Sequence, residues 1–157
     1  MAVSLSMKIN GLDELVANAN KAGSDMRRLL LQSMTKATTM IKEDAKAIRS
    51  GSFKNRTGTL RRSIVARTHS AERGTVSTDV PYSTHVEFGT KPHTIYPRNK
   101  RFLAFKAASG KMVFARKVNH PGSRPYPYMR PAMENNQRQI LEEYEKVAQI
   151  VISNMAK

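Results

Sequence analysis

Between Leu30 and Ile48 the apolar residues Leu30, Met34, Ala37, Ile41, Ala45 and Ile48 recur at steps of 4, 3, 4, 4 and 3. An α-helix places such a series on one stripe, and Arg27, Gln32, Lys36, Lys42, Glu43 and Lys46 fall largely outside it. The spacing predicts a helix of about 25 residues, roughly 37 Å long, ended by Ser50-Gly51-Ser52. Ahead of it Leu12, Leu15, Val16 and Ala19 mark a shorter apolar face, which Gly23-Ser24-Asp25 interrupts or re-caps. A helix this long in a small domain suits a subunit interface equally with a core. The methionines Met26, Met34, Met40 and Met133 suit either role.

The period then changes. Residues 63–68 and 74–80 are short β-prone runs joined by His69-Ser70-Ala71-Glu72-Arg73, and residues 102–107 and 111–118 flank Ala108-Ser109-Gly110 as a second hairpin. Tyr82 to Phe88 is too short to assign by period, and Gly89-Thr90-Lys91-Pro92 breaks whatever it forms. Residues 120–127 carry three prolines, which remove ladder donors and fix φ, so an ordered or partner-bound loop is expected there. From Pro131 a last helix is expected, with Ile140, Leu141, Tyr144, Val147, Ala148, Val151 and Ile152 as its apolar face. Helices, four strands and a helix, in that order, favour an α+β fold with an antiparallel sheet of about four strands packed against both long helices. The expected organisation is a single domain over 1–157: helical 11–50, β-rich and basic 57–118, a Pro-rich loop 119–130 and a helix 131–155.

Composition narrows function. The chain has 157 residues and a formal net charge of +15, and no Cys, which removes disulfides, thiol nucleophiles and thiolate metal sites. No apolar run approaches the length of a membrane span, and the N-terminal stretch meets Asn, Asp and Glu too early for a signal peptide, so synthesis in the cytoplasm is expected. The charge is uneven. Residues 51–130 hold 16 Lys+Arg against 3 Asp+Glu, while residues 1–50 hold 8 against 5 and residues 131–157 hold 3 against 4. Such a field attracts polyanions, whether nucleic acid, acidic protein surfaces or anionic lipid.

Catalytic chemistry has little to stand on. His85-x-Glu87 matches half of a zinc deaminase signature whose thiolates are missing, and His69, His85, His93 and His120 lack the spacing of a helical metal site. No nucleophile turn, phosphate loop or dinucleotide fingerprint occurs, and the carboxylates of the middle are only Glu72, Asp79 and Glu87. Neither a cofactor nor a catalytic residue is expected. Polyanion binding has candidates in Arg62, Arg98, Lys100, Arg101, Arg116 and Lys117, interleaved with Tyr96, Phe102, Phe105 and Phe114, although phenylalanines in apolar runs such as Phe102 and Phe105 are expected in a core.

Several blocks, in order, carry a resemblance: Ile9 to Leu15, Thr57-Gly58-Thr59-Leu60-Arg61-Arg62-Ser63-Ile64, Tyr82 through Glu87-Phe88-Gly89-Thr90, Phe102 to Phe105, Val113 to Val118, His120-Pro121-Gly122 and Pro125 to Ala132. Together they resemble the small tail-component family of long-tailed phages, also called neck or tail-completion proteins. The resemblance implies a non-enzymatic virion protein of the neck or tail, made in the bacterial cytoplasm. It implies a homo-oligomeric ring, taken as hexameric, that meets neighbouring neck or tail proteins, with transient DNA contact and no membrane. On this reading Thr57, Gly58, Leu60, Arg61, Ser63, Glu87, Phe88, Gly89, Thr90, His120, Pro121 and Gly122 are the motif and assembly positions. The first long helix and the 120–127 loop are the expected ring contacts. Thr57-Gly58 is expected to turn the chain, Gly89 to adopt a backbone few other residues accept, and Glu87 to pair with an arginine, either within the subunit or across the ring.

Overall fold

The computed structural model describes residues 3–9, 13, 16–17, 23–48, 58–107 and 109–155, with side-chain surroundings omitted at Ser24, Asp25, Asn154 and Met155. Thr57, the 49–56 segment and most of the short apolar face before Gly23 lie outside the described residues. The elements are β1 (Ser4–Lys8), α1 (Ser24–Ala47), α2 (Thr59–Ser63), β2 (Val65–Thr68), β3 (Arg73–Ser77), α3 (Ser83–Phe88), β4 (His93–Ile95), β5 (Leu103–Lys106), β6 (Met112–Ala115), β7 (Val118–His120) and α4 (Met129–Met155).

The fold is α+β, with both long helices where the periodicity puts them. Leu30, Met34, Ala37, Ile41 and Ala45 are all buried, and the stripe meets Ile140, Tyr144, Val147 and Val151 of α4 in one core. Lys36 pairs with Glu143 (2.8 Å), and Asp44 accepts from the side-chain amides of Asn135 and Asn136 (3.2 and 3.0 Å), so the two helices run antiparallel. The Lys36 ammonium holds the Glu143 carboxyl below its usual range. Two residues expected on the α4 core face are exposed instead: Leu141 and Ile152 lie around the helix from the buried stripe, Ile152 at 65% exposure.

The strands do not join into one four-stranded sheet. They form a three-stranded antiparallel sheet in the order β1-β3-β2 and two ribbons, β4-β7 and β5-β6. β1 belongs to a segment with no strand expectation, and the 111–118 run breaks at Ser- and Pro-free positions 116–117 into β6 and β7, which join different ribbons. The three-stranded sheet lies on α1. Gly74 sits so close to the helix that an added Cβ would collide with the Thr38 methyl, and Met7 and Val76 fill the same layer. The short α2 starts after Gly58, whose φ of 68° is left-handed, and sends Leu60 and then Ile64 into the core.

Two buried tyrosines separate a hydrogen bond from mere burial. The Tyr144 hydroxyl donates to the Ala71 carbonyl (3.1 Å), whereas the Tyr128 hydroxyl, near Ser83, has no partner of good geometry. Tyr144→Phe should therefore cost about 1 kcal/mol, and Tyr128→Phe should be neutral or stabilising, as urea titrations of both variants will read. Burial raises both phenols above their ordinary value, with the Glu87 charge adding to it at Tyr128. The folded state keeps protons that the unfolded chain releases above about pH 10, so stability is intact below that pH and declines above it. The double Phe variant should lose less stability than wild type between pH 9 and 11.

Candidate functional site

The residues from Tyr82 to Pro131 build one feature from two distant sequence blocks. α3 presents Glu87 to the start of α4. The carboxylate is almost completely buried, 4% exposed, and accepts three backbone N–H groups: Tyr128 (2.8 Å) and Met129 (3.1 Å) at Oε2, and Arg130 (3.1 Å) at Oε1. A helix leaves its first four N–H groups without intrahelical acceptors. Here the fourth residue is Pro131, which has no N–H, and Glu87 takes the other three. The negative charge also lies at the positive end of the helix dipole. The expected arginine partner of Glu87 is therefore replaced by the α4 amides. The reason is positional, since a carboxylate aimed at a helix start meets several donors at once and needs no guanidinium.

Backbone pairing continues outward from this cap. Tyr126 N–H donates to the Val86 carbonyl (2.7 Å), and Thr90 and Ser123 exchange both amide hydrogen bonds at 3.1 Å while their hydroxyls share a third at 3.0 Å. Gly89 and Gly122 make this approach possible. Their φ angles are 72° and 89°, and a Cβ on Gly89 would lie 2.5 Å from the Ser123 carbonyl oxygen, while one on Gly122 would collide with the Thr90 carbonyl. Beyond the bridge, β4 pairs with β7 and His93 stacks on His120, ring centroids 5.1 Å apart. His93 Nδ1 bonds the Lys91 carbonyl (2.9 Å), and the Gly122 N–H donates to His120 Nδ1 (3.0 Å).

From this clasp residues 90–123 leave and return as an arm of two ribbons. The arm has eight Lys+Arg and no Asp or Glu. Its apolar side chains are open to solvent. Phe102, Phe105, Met112 and Val113 are exposed, and Tyr96 and Phe114 are 64% and 68% exposed. The expectation that Phe102 and Phe105 belong to a core is thus corrected: β5 and β6 pair only with each other, so neither face gains a covering layer. The cross-strand register puts Leu103 with Ala115 and Phe105 with Val113 on one face, and Ala104 with Phe114 and Lys106 with Met112 on the other. Arg116 extends the second face by lying over the Phe102 ring, 5.9 Å from its centroid.

The motif positions thus divide. Glu87, Phe88, Gly89, Thr90, His120, Pro121 and Gly122 converge at the clasp, Phe88 on its exposed side. Gly58, Leu60, Arg61 and Ser63 sit in and before α2, where Ser63 Oγ bonds the Leu60 carbonyl and shares a 2.6 Å hydrogen bond with Thr78. Arg98, Lys100, Arg101, Arg116 and Lys117 belong to the arm, and Arg62 does not: it walls a separate cleft beside the three-stranded sheet. Thr57 lies outside the described residues. Sequence reasoning missed the Thr90–Ser123 bridge and the role of Met129 and Tyr128, for which the two glycines 33 residues apart were the available signal.

A comparison with protein families bears on this arrangement. Residues 13–89, which are 77 of the 157, match the HK97-gp10-like model, described as "Bacteriophage HK97-gp10, putative tail-component". Over these residues the chain is similar to that phage tail-component family. The matched segment holds the TGTLRRSI block, the three-stranded sheet apart from β1, and α3 with its Glu87; it ends at Gly89, where the clasp begins. The arm and α4 follow it. No curated protein and no solved structure matches the chain. The description of the matched family is that of a phage tail component, a structural role. No described helix is long and apolar enough to cross a membrane.

Proposed function

We propose that the chain acts as one folded unit that assembles into a homo-oligomeric ring completing or joining the tail at the neck. The observation that carries this reading is the arm: a clasped pair of ribbons that exposes Tyr96, Phe105, Met112 and Phe114 to water. A lone two-stranded ribbon is marginally stable in water, and apolar side chains on both of its faces favour burial against protein. In a ring each subunit presents two different patches, and the arm is the projecting one. Its eight cations suit acidic surfaces on neighbouring subunits or tail proteins.

Sedimentation tests the reading. The wild-type chain should run as a multiple of 17.6 kDa and give rings by electron microscopy. Phe105→Asp with Phe114→Asp should run as a monomer with an unchanged melting temperature, because both side chains lie outside the core. A wild-type monomer at all concentrations, or a double variant that still forms rings, overturns it. The second reading, a nucleic-acid-binding protein, is favoured by the absence of any carboxylate between Thr90 and Ser123.

A further inference from the structure

The outward face of the three-stranded sheet, on the side away from α1, has a chemistry of its own. Met7, Gly74 and Val76 point to the helix, so alternation sends Lys8, Arg67 and Arg73 to the opposite side, where all three are exposed. The register orders that side in rows. Ser4 lies opposite Ser77 and Ser77 opposite Val65, Ser6 opposite Thr75 and Thr75 opposite Arg67, and Lys8 directly opposite Arg73. Hydroxyls and cations make up these rows, and Val65 is their one apolar side chain. A cleft of about 690 Å³ opens over the Ser4–Ser77–Val65 row and Arg67, lined also by Arg62 and Thr59 of α2 and by Asp79, and the Lys8–Arg73 row continues the same face beyond it.

Lys8 against Arg73 is the informative pair. Like charges directly opposite on antiparallel strands destabilise a sheet. Neither residue, nor Arg62 or Arg67, forms an ion pair among the described residues, and Asp79 leaves the group with an excess of three positive charges. An arrangement that costs stability when empty is rewarded when a polyanion lies across it. The ligand's chemistry follows from what the face lacks. Protein partners are gripped through buried aromatic and aliphatic anchors, which the arm displays and this face does not. Apart from the His69 ring, whose Nε2 is tied to Thr75 Oγ1 (2.9 Å), the face offers arginine, lysine and hydroxyls, the contacts made to phosphate and sugar independent of base sequence. The rows from Ser4 to Lys8 span about 14 Å, the rise of about four phosphates along one strand of a duplex.

We propose that this face, through Lys8, Arg62, Arg67 and Arg73 with the hydroxyls between them, holds the phosphate backbone of double-stranded nucleic acid. The proposal deepens the nucleic-acid reading by moving the contact from the arm to the sheet, and it stands independently of ring formation.

Fluorescence anisotropy of the full chain with a labelled 20-base-pair duplex, between 50 and 200 mM salt, tests it. The slope of log K against log salt should be about −3 to −4, and Arg67→Ala and Arg73→Ala should each make it shallower by about 0.9. Lys106→Ala with Lys111→Ala in the arm should leave binding unchanged. Lys8→Thr should weaken binding yet raise the melting temperature of the free protein, because it removes the like-charge pair. No duplex binding at 50 mM salt, or a melting temperature unmoved by Lys8→Thr, overturns the proposal. Loss of binding in the arm variant with retention in the sheet variants also overturns it and leaves the broader nucleic-acid reading standing. Displacement of the duplex by polyglutamate as readily as by unlabelled duplex assigns the face to acidic protein instead.

Discussion

Replacing Glu87 by alanine is expected to destabilise the protein by about 3–5 kcal/mol, the largest effect of any single polar substitution considered for this chain. The carboxylate is the acceptor for three amides at the start of the 27-residue α4, and its removal leaves the buried Tyr128 and Met129 N–H groups and the part-buried Arg130 N–H without their acceptor. Charge-assisted hydrogen bonds are the stronger kind, and removing the acceptor exposes the full desolvation cost of each donor. Glu87→Gln separates the charge from the hydrogen bonds. One carbonyl oxygen remains as acceptor, while the amide NH₂ faces donors, so a loss of about 1–3 kcal/mol is expected. Urea denaturation of both variants gives the numbers, with hydrogen exchange at Met129 and Arg130 locating the loss. An alanine variant within 1 kcal/mol of wild type would show that water replaces the carboxylate and that the cap carries little. Because Glu87 also fixes α3 to α4, the arm between them should lose its footing in the same variant, and the proposed ring assembly with it.

How much of this was legible beforehand depended on whether the deciding contacts were local. The α1 stripe was readable because helical periodicity lies within one segment, and Leu30, Met34, Ala37, Ile41 and Ala45 are buried as their spacing demands. The second hairpin was readable for the same reason, since Ala108-Ser109-Gly110 joins two adjacent runs. Glu87 stood out as a lone acid in a basic segment, but its partners are backbone amides about 40 residues away, and an amide has no sequence signature. Arginine was the natural expectation because only side chains are visible in a sequence. The fate of Phe102 and Phe105 was illegible on other grounds. Apolar strands predict burial only if a second layer exists, and the chain supplies two helices that are already occupied by each other and by the three-stranded sheet. The Lys8–Arg73 pair needed a register between strands 65 residues apart, one of which gave no strand signal.

Gly89→Ala and Gly122→Ala are expected to cost about 2–5 kcal/mol each, and their cost should appear first at the clasp. A left-handed backbone costs about 1–2 kcal/mol for a residue with a Cβ. Overpacking against a carbonyl that cannot rotate away adds roughly 1–3 kcal/mol. Both apply here, because each added methyl meets backbone oxygen of the opposing segment, Ser123 for Gly89 and Thr90 for Gly122. The segment that yields is the weakest one nearby. The Thr90–Ser123 bridge is a single exposed pair set apart from the three-residue β4–β7 ladder, whereas Glu87 and its amides at Tyr128 and Met129 are buried. Hydrogen exchange at Thr90 and Ser123 should therefore accelerate in either variant before exchange in α1 changes. The two substitutions should also be less than additive, since once one has opened the bridge the second methyl has nothing left to strike. Full additivity would mean that the two glycines act on separate structures, and the clasp would then be two turns that happen to lie together. If sub-additivity is found together with loss of ring assembly while α1 stays protected, the arm must be held in one direction, beyond merely being attached, for subunits to meet.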